Sequence, residues 1–203
     1  LHQDDEHHMG PLRFVIGDIL VRTQVTKYKK LKFRTHENIG YGEIALPPDE
    51  MHTRSVVVLF RDDLETGKRF HALPEPVRGK VMQRLGYLIK NVAPVFLLCD
   101  RSDIGVAERV RDPHFGCAAL YVYDTYAGGT GLSEGFLANA KAILGGAYEL
   151  VSLCGCDHGC PSCIGPVDME DMEADVKTLS SGFLSVVSTE FPTGMGAPEG
   201  GKS

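Results

Sequence analysis

The sequence predicts an α+β fold in which an antiparallel β-rich N-terminal part packs on a helical part ending in a four-cysteine knuckle. Three observations predict it. From Phe14 to about Phe60, short apolar groups such as Ile16, Ile19, Val21 and the run Val56 to Phe60 are punctuated by glycines and by Pro47-Pro48, as in a set of antiparallel strands. After Pro74 and Pro76, Val77, Val81, Leu85, Leu88, Ile89 and Val92 recur at helical spacing until Pro94, where a helix is expected to break. Four of the six cysteines then fall between positions 154 and 163.

The elements follow in order. Residues 1–13 are polar, carry several histidines and lack periodicity, so a linker is expected. A β-rich subdomain is expected over 14–75 and a mainly helical one over 76–190. The charged stretch from Asp100 to Pro113 reads as a loop, and Cys117 to Tyr123 as a buried strand. Gly128, Gly129 and Gly131 form a turn that launches one helix from about Leu132 to Val151, with Phe136, Leu137, Ala140, Ile143, Leu144 and Ala147 facing the core. Met169, Met172, Val176 and Leu179 predict a further helix with the methionines as core filler and the neighbouring carboxylates opposite. Residues 191–203, rich in Gly and Pro, are expected to be a flexible tail.

The chain has 203 residues, 43% hydrophobic and 24% charged, and no apolar run approaches the roughly 20 residues of a membrane helix. The opening lacks the basic-then-apolar order of a secretory signal and starts at Leu1, which points to a cytoplasmic piece of a longer polypeptide, nucleoid-associated if bacterial. A net charge of -6 argues against a surface that is basic throughout. Yet Arg22, Lys27, Lys29, Lys30, Lys32 and Arg34 lie together without an intervening acid. Of these, Lys27, Lys29, Lys30 and Arg34 are the candidate phosphate contacts, although lysines also protect an exposed edge strand. Tyr28 and Tyr41 are expected to pack on the sheet rather than stack on bases.

Cys154-Gly-Cys156-Asp-His-Gly-Cys160-Pro-Ser-Cys163 is a Cys-x-Cys-x3-Cys-x2-Cys array. Four thiolates match zinc's tetrahedral preference, and a closed sulfur shell leaves no position for water, so a structural zinc ion is expected in preference to an iron–sulfur cluster. Gly155 and Gly159 are expected to let the backbone fold tightly enough for the sulfurs to converge. A competing enzymatic reading gathers Asp100, Asp103, Asp124 and His52 around a divalent ion, as in a metal-dependent nuclease or phosphodiesterase.

The run Tyr121-Val-Tyr-Asp124-Thr-Tyr-Ala-Gly128-Gly129-Thr-Gly131-Leu-Ser, the helix after it and the knuckle ending Gly159-Cys160-Pro-Ser-Cys163 resemble the MrfA-like zinc-binding domain (MZB). Upstream, Val25-Thr-Lys-Tyr28, Ile39-Gly40-Tyr41-Gly42-Glu43-Ile44 and Cys99-Asp100-Arg-Ser-Asp103-Ile-Gly105 extend the resemblance to roughly residues 16–166. That domain closes certain superfamily 2 DEAD/DEAH-box helicases. The resemblance implies a DNA-repair, ATP-dependent helicase as the parent polypeptide, with DNA, chiefly single-stranded, and the helicase motor as partners. The motor domains are expected to be absent from this chain.

Overall fold

The structure is a computed structural model and describes residues 2–190; the expected tail, 191–203, lies outside them. Five strands form one antiparallel sheet: β1 (His2–Met9), β2 (Leu12–Thr23), β5 (Asp49–Phe60), β7 (Ala119–Asp124) and β6 (Ile104–Arg109), in that spatial order. β3 (Lys27–Leu31) and β4 (Asn38–Glu43) form a separate antiparallel pair. The helices are α1 (Glu65–His71), α2 (Glu75–Leu97), α3 (Leu132–Ala138), α4 (Ala140–Leu153), α5 (Met169–Glu173) and α6 (Val176–Glu190).

Period-two alternation divides the sheet into two faces. Phe14, Val56, Val58, Leu120 and Val122 point toward the helices, joining Met82, Leu88, Ile89, Phe136, Ile143 and Leu184 in the main core. Val15, Val57, Leu59 and Ala119 fill a smaller cluster on the opposite face, covered by Phe115, Cys117 and Tyr121. Cys163 and Ile164 of the knuckle belong to the main core, so one packed interior reaches from the sheet to the cysteines.

Several elements differ from the sequence expectations for identifiable reasons. The polar stretch at the start is strand β1, because β2 offers it a ladder broken only by a bulge at Asp4, and Glu6 bonds Arg13 at 3.0 Å across the pair. The charged loop after Asp100 contains β6, whose burial is confined to its first residues while the rest is exposed along the sheet edge. Pro94 does not end α2; the helix continues to Leu97 and stops at Leu98, which adopts a left-handed conformation at φ 52°. A proline inside a helix loses one backbone hydrogen bond and crowds the carbonyl four residues earlier, a local cost that buried Val92 and Ala93 offset by holding that turn against the core. The expected helix after Gly131 divides at Asn139 into α3 and α4.

The largest reversal lies after the knuckle. Met169 and Met172 are exposed, whereas Asp171 is fully buried. Asp171 accepts from Arg84, has Lys80 Nζ at 3.3 Å, and forms a reciprocal cap with Asp168 that starts α5. Period alone assigns carboxylates to solvent; a buried guanidinium on a distant helix reverses that assignment. Asp171→Ala is expected to cost about 3–5 kcal/mol, because it strands the buried Arg84 charge. Urea unfolding measures this, and a midpoint equal to wild type would show that the pair contributes nothing.

Candidate metal centre

Helix α4 delivers Cys154 at its C-terminus, and the chain then folds back within nine residues to bring Cys156, Cys160 and Cys163 beside it. The four Sγ atoms lie within 4.8 Å of one another. The separations are 3.5 Å for Cys154–Cys156, 3.6 Å for Cys154–Cys160, 3.5 Å for Cys156–Cys163 and 3.7 Å for Cys160–Cys163. Sulfurs bonded at about 2.3 Å to one tetrahedral ion stand roughly 3.8 Å apart, so the donor set fits a single zinc ion. A disulfide needs about 2.05 Å between its sulfurs, and all four thiols are free. A multi-iron cluster interposes its own inorganic core between the thiolates, and these short spacings leave no room for one.

Local backbone geometry explains the convergence. Gly159 takes φ 131°, and a β-carbon there would meet the Ile164 side chain at 2.6 Å. Gly165, at φ 91°, passes the Tyr87 ring so closely that a β-carbon would lie 3.1 Å from it. These two glycines make the turn possible; Gly155, expected to share that role, sits in open space without a left-handed φ. Cys163 N–H donates to the Cys160 carbonyl at 3.0 Å, and Cys160 N–H donates back to Cys163 Sγ at 3.3 Å. The Ser162 N–H is the largest influence pulling the Cys160 thiol down, to about 7, while burial pushes Cys163 up to about 12.

Four residues missed by the sequence reading hold this loop. Arg84, Tyr87 and Asn91 lie three and four positions apart, on one stripe of α2. They donate to the carbonyls of Ile164 at 3.4 Å, Pro161 at 2.8 Å and Cys163 at 3.5 Å. From α6, Lys177 Nζ donates to the carbonyls of Cys154, at 2.9 Å, and Cys156. It adds a positive charge beside sulfurs that bind metal as thiolates. The only sequence signal for these residues was polar side chains interrupting otherwise apolar helical faces.

The aspartates of the enzymatic reading are occupied elsewhere. Asp100 and Asp103 cap a 3-10 turn reciprocally, Asp100 accepting from Ser102 N–H at 2.8 Å. Asp124 is fully buried at the end of β7. Its carboxylate accepts from the N–H groups of Thr130, Leu132 and Ser133 and from the hydroxyls of Thr130 and Ser133. The glycine turn from Gly128 to Gly131 thus presents its donors to the protein's own carboxylate. His52 is exposed on β5. Among the described residues the tetracysteine is the only group placed to hold a metal.

Lys27, Lys29 and Lys30 are exposed on β3, with Lys30 on the face opposite Lys27 and Lys29. Arg34 lies exposed in the turn beyond the strand. Lys32 pairs with Glu37 at 3.7 Å, but no ion pair engages these four among the described residues. The three lysines lie on the β3–β4 pair, which is not part of the five-stranded sheet.

Two short strings match the letters of helicase motor signatures. Asp5-Glu6-His7-His8 spells Asp-Glu-x-His, and Gly196 to Ser203 spells Gly-x4-Gly-Lys-Ser. The first lies on edge strand β1 of an antiparallel sheet, where Glu6 is bonded to His8 at 2.7 Å and to Arg13. A nucleotide-binding motor instead sets such residues on parallel βαβ units. The second lies outside the described residues.

Comparison with known proteins follows the same line. The MrfA Zn-binding domain family matches residues 85–164. An uncharacterized ATP-dependent helicase of Bacillus subtilis, YprA, is 33% identical over 163 residues, covering 80% of this chain and 21% of the relative. An uncharacterized protein of Methanocaldococcus jannaschii, MJ1572.1, is 34% identical over 86 residues, covering 41% of this chain and 77% of the relative. Among solved structures, the crystal structure of the DUF1998 helicase MrfA bound to DNA superposes with a TM-score of 0.72 at 30% identity over 93% of this chain. The chain spans only about a fifth to a quarter of the length of the two helicases. The matched segment begins inside α2 and ends just beyond the last cysteine, so it contains the sulfurs together with Tyr87 and Asn91 of the supporting stripe, while Arg84 lies one residue before it. The chain therefore belongs to the MrfA-like zinc-binding family, and its cofactor is a structural zinc ion.

Proposed function

We propose that this chain is the zinc-binding accessory region of a DNA-repair, ATP-dependent helicase, in which it supports the motor and guides DNA. One observation carries the reading: four thiols spaced for one tetrahedral ion lie within the segment matched by the MrfA Zn-binding domain. Cys154, Cys156, Cys160 and Cys163 are the ligands. A zinc ion there supplies structural cross-linking, with no open position for substrate. The chain's own residues do the rest: Arg84, Tyr87 and Asn91 tie the loop to α2, and Lys177 ties it to α6.

DNA contact is assigned to Lys27, Lys29, Lys30 and Arg34, with the translocated single strand as ligand and the cytoplasm as the compartment. The likeness to a helicase solved on DNA supports this assignment, as does the basic excess of the β3–β4 segment within an acidic chain. Among the described residues no helix is long and apolar enough to cross a membrane. The parent's remaining domains supply ATP hydrolysis. The nuclease alternative is not favoured, since its aspartates serve turns and caps.

Salt-dependent binding to a single-stranded oligonucleotide tests the assignment. Replacing both Lys27 and Lys29 by Ala is expected to weaken binding and lower the slope of log K against log salt by about 1.4, or roughly 0.7 for each lost phosphate contact. An unchanged slope would remove these lysines from the interface.

A further inference from the structure

On the face of the β3–β4 pair opposite Lys27 and Lys29, Tyr28 stands across from Gly42, and Lys30 across from Gly40. The Tyr28 ring lies over Gly42 so closely that a β-carbon there would sit 2.4 Å from its Cζ and 2.5 Å from its Cε1. Gly42 has no left-handed φ, so its backbone does not demand glycine; the ring above it does. At Gly40 a β-carbon would meet nothing within 4 Å, leaving that side of the face open. Lys30 Nζ stands 5.8 Å from the Tyr28 ring centroid, and Tyr28 remains 46% exposed. An aromatic on a sheet surface ordinarily gains by being covered. Here a glycine backs it and solvent meets it, with a cation at hand.

We infer that Tyr28, which the sequence alone assigns to packing on the sheet, is a base-stacking platform for single-stranded nucleic acid, with Lys30 beside it as a phosphate partner. Charge selects the occupant. Between residues 27 and 43 there are five Lys and Arg (Lys27, Lys29, Lys30, Lys32, Arg34) against two acids (Glu37, Glu43), a local excess of three positive charges in a chain of net charge -6. A ligand combining exposed π-faces with a polyanionic backbone satisfies both the ring and the lysines, and single-stranded nucleic acid has both. In a duplex the base faces are stacked on one another, so the platform favours a separated strand. The inference rests on the DNA-guiding reading and deepens it, since basic residues alone do not distinguish bases from bare phosphates.

The test uses the 203-residue chain, zinc-loaded, with two fluorescent oligonucleotides of about 12 nucleotides, a length within the site size of such surfaces. One is oligothymidine; the other has the same sugar-phosphate backbone without bases. The unaltered chain is expected to bind oligothymidine roughly tenfold more tightly, the contribution of one stacked base. Tyr28→Leu should erase that difference by weakening only the base-bearing strand, while Tyr28→Phe preserves it. Equal affinity of the unaltered chain for both strands overturns the platform while leaving phosphate binding through the lysines standing. Binding to neither strand overturns the DNA-guiding reading and the platform together. Displacement of oligothymidine by polyglutamate at equal charge concentration also overturns the platform, because it would make the surface a site for an acidic protein.

Discussion

Cys160→Ser is expected to abolish stoichiometric zinc and to lower the thermal midpoint in the same sample. In small zinc-binding peptides the bound ion contributes on the order of 10–16 kcal/mol. The total stability of an ordinary domain is about 5–15 kcal/mol. Loss of one of four ligands therefore removes a share comparable with the whole. The damage does not stop at the loop, since Cys163 and Ile164 are packed into the interior that α2 and α6 share. Elemental analysis and thermal unfolding, measured together, check this. A variant that keeps one zinc per chain and the original midpoint would refute the assignment of Cys160 as a ligand.

Asp124→Asn is expected to destabilise the chain by about 1.5–3 kcal/mol, the range for hydrogen bonds made to a charged group, since buried donors are left without their acceptor. The buried carboxylate accepts from backbone and side chain at the start of α3, and the replacement amide directs a donor group at other donors. A pH signature accompanies the change. Burial alone pushes the Asp124 carboxyl up, but the bonds from Ser133, Thr130 and Leu132 outweigh it and hold the group below its ordinary value of 3.8. A depressed carboxyl contributes stability that is complete above its unfolded value and lost as pH falls through the folded one. The wild-type advantage over Asp124→Asn should therefore be constant at neutral pH and shrink on acidification below about pH 4. A pH-independent difference would show that the carboxylate's charge plays no part.

How far the sequence could be read depended on whether a side chain's partner was local. The cysteine array was legible because its four ligands fall in one ten-residue stretch, where spacing and chemistry together indicate a single ion. The core strands Val56 to Phe60 and Ala119 to Val122 were legible for a similar reason, since apolar run length reports burial. Asp171 was not, because its burial is decided by Arg84 and Lys80 far away in the chain. Asp124 closes the strand that the run Cys117 to Tyr123 predicts, but the donors it collects depend on the left-handed turn at Gly128, Gly129 and Gly131. The strand in the polar opening segment escaped notice because both of its faces are largely exposed, so hydropathy carries no alternation there.

The helical stripe beneath the knuckle bears on how such centres are to be recognised. Tyr87 acts on a carbonyl 74 positions later, and Asn91 on one 72 positions later. The cysteine loop is thus not a portable cassette. Grafted elsewhere by its spacing alone, it would arrive without the scaffold that sets its carbonyls. A search for kindred centres would gain discrimination by requiring an Arg, a Tyr and an Asn in that helical phase upstream of the sulfurs.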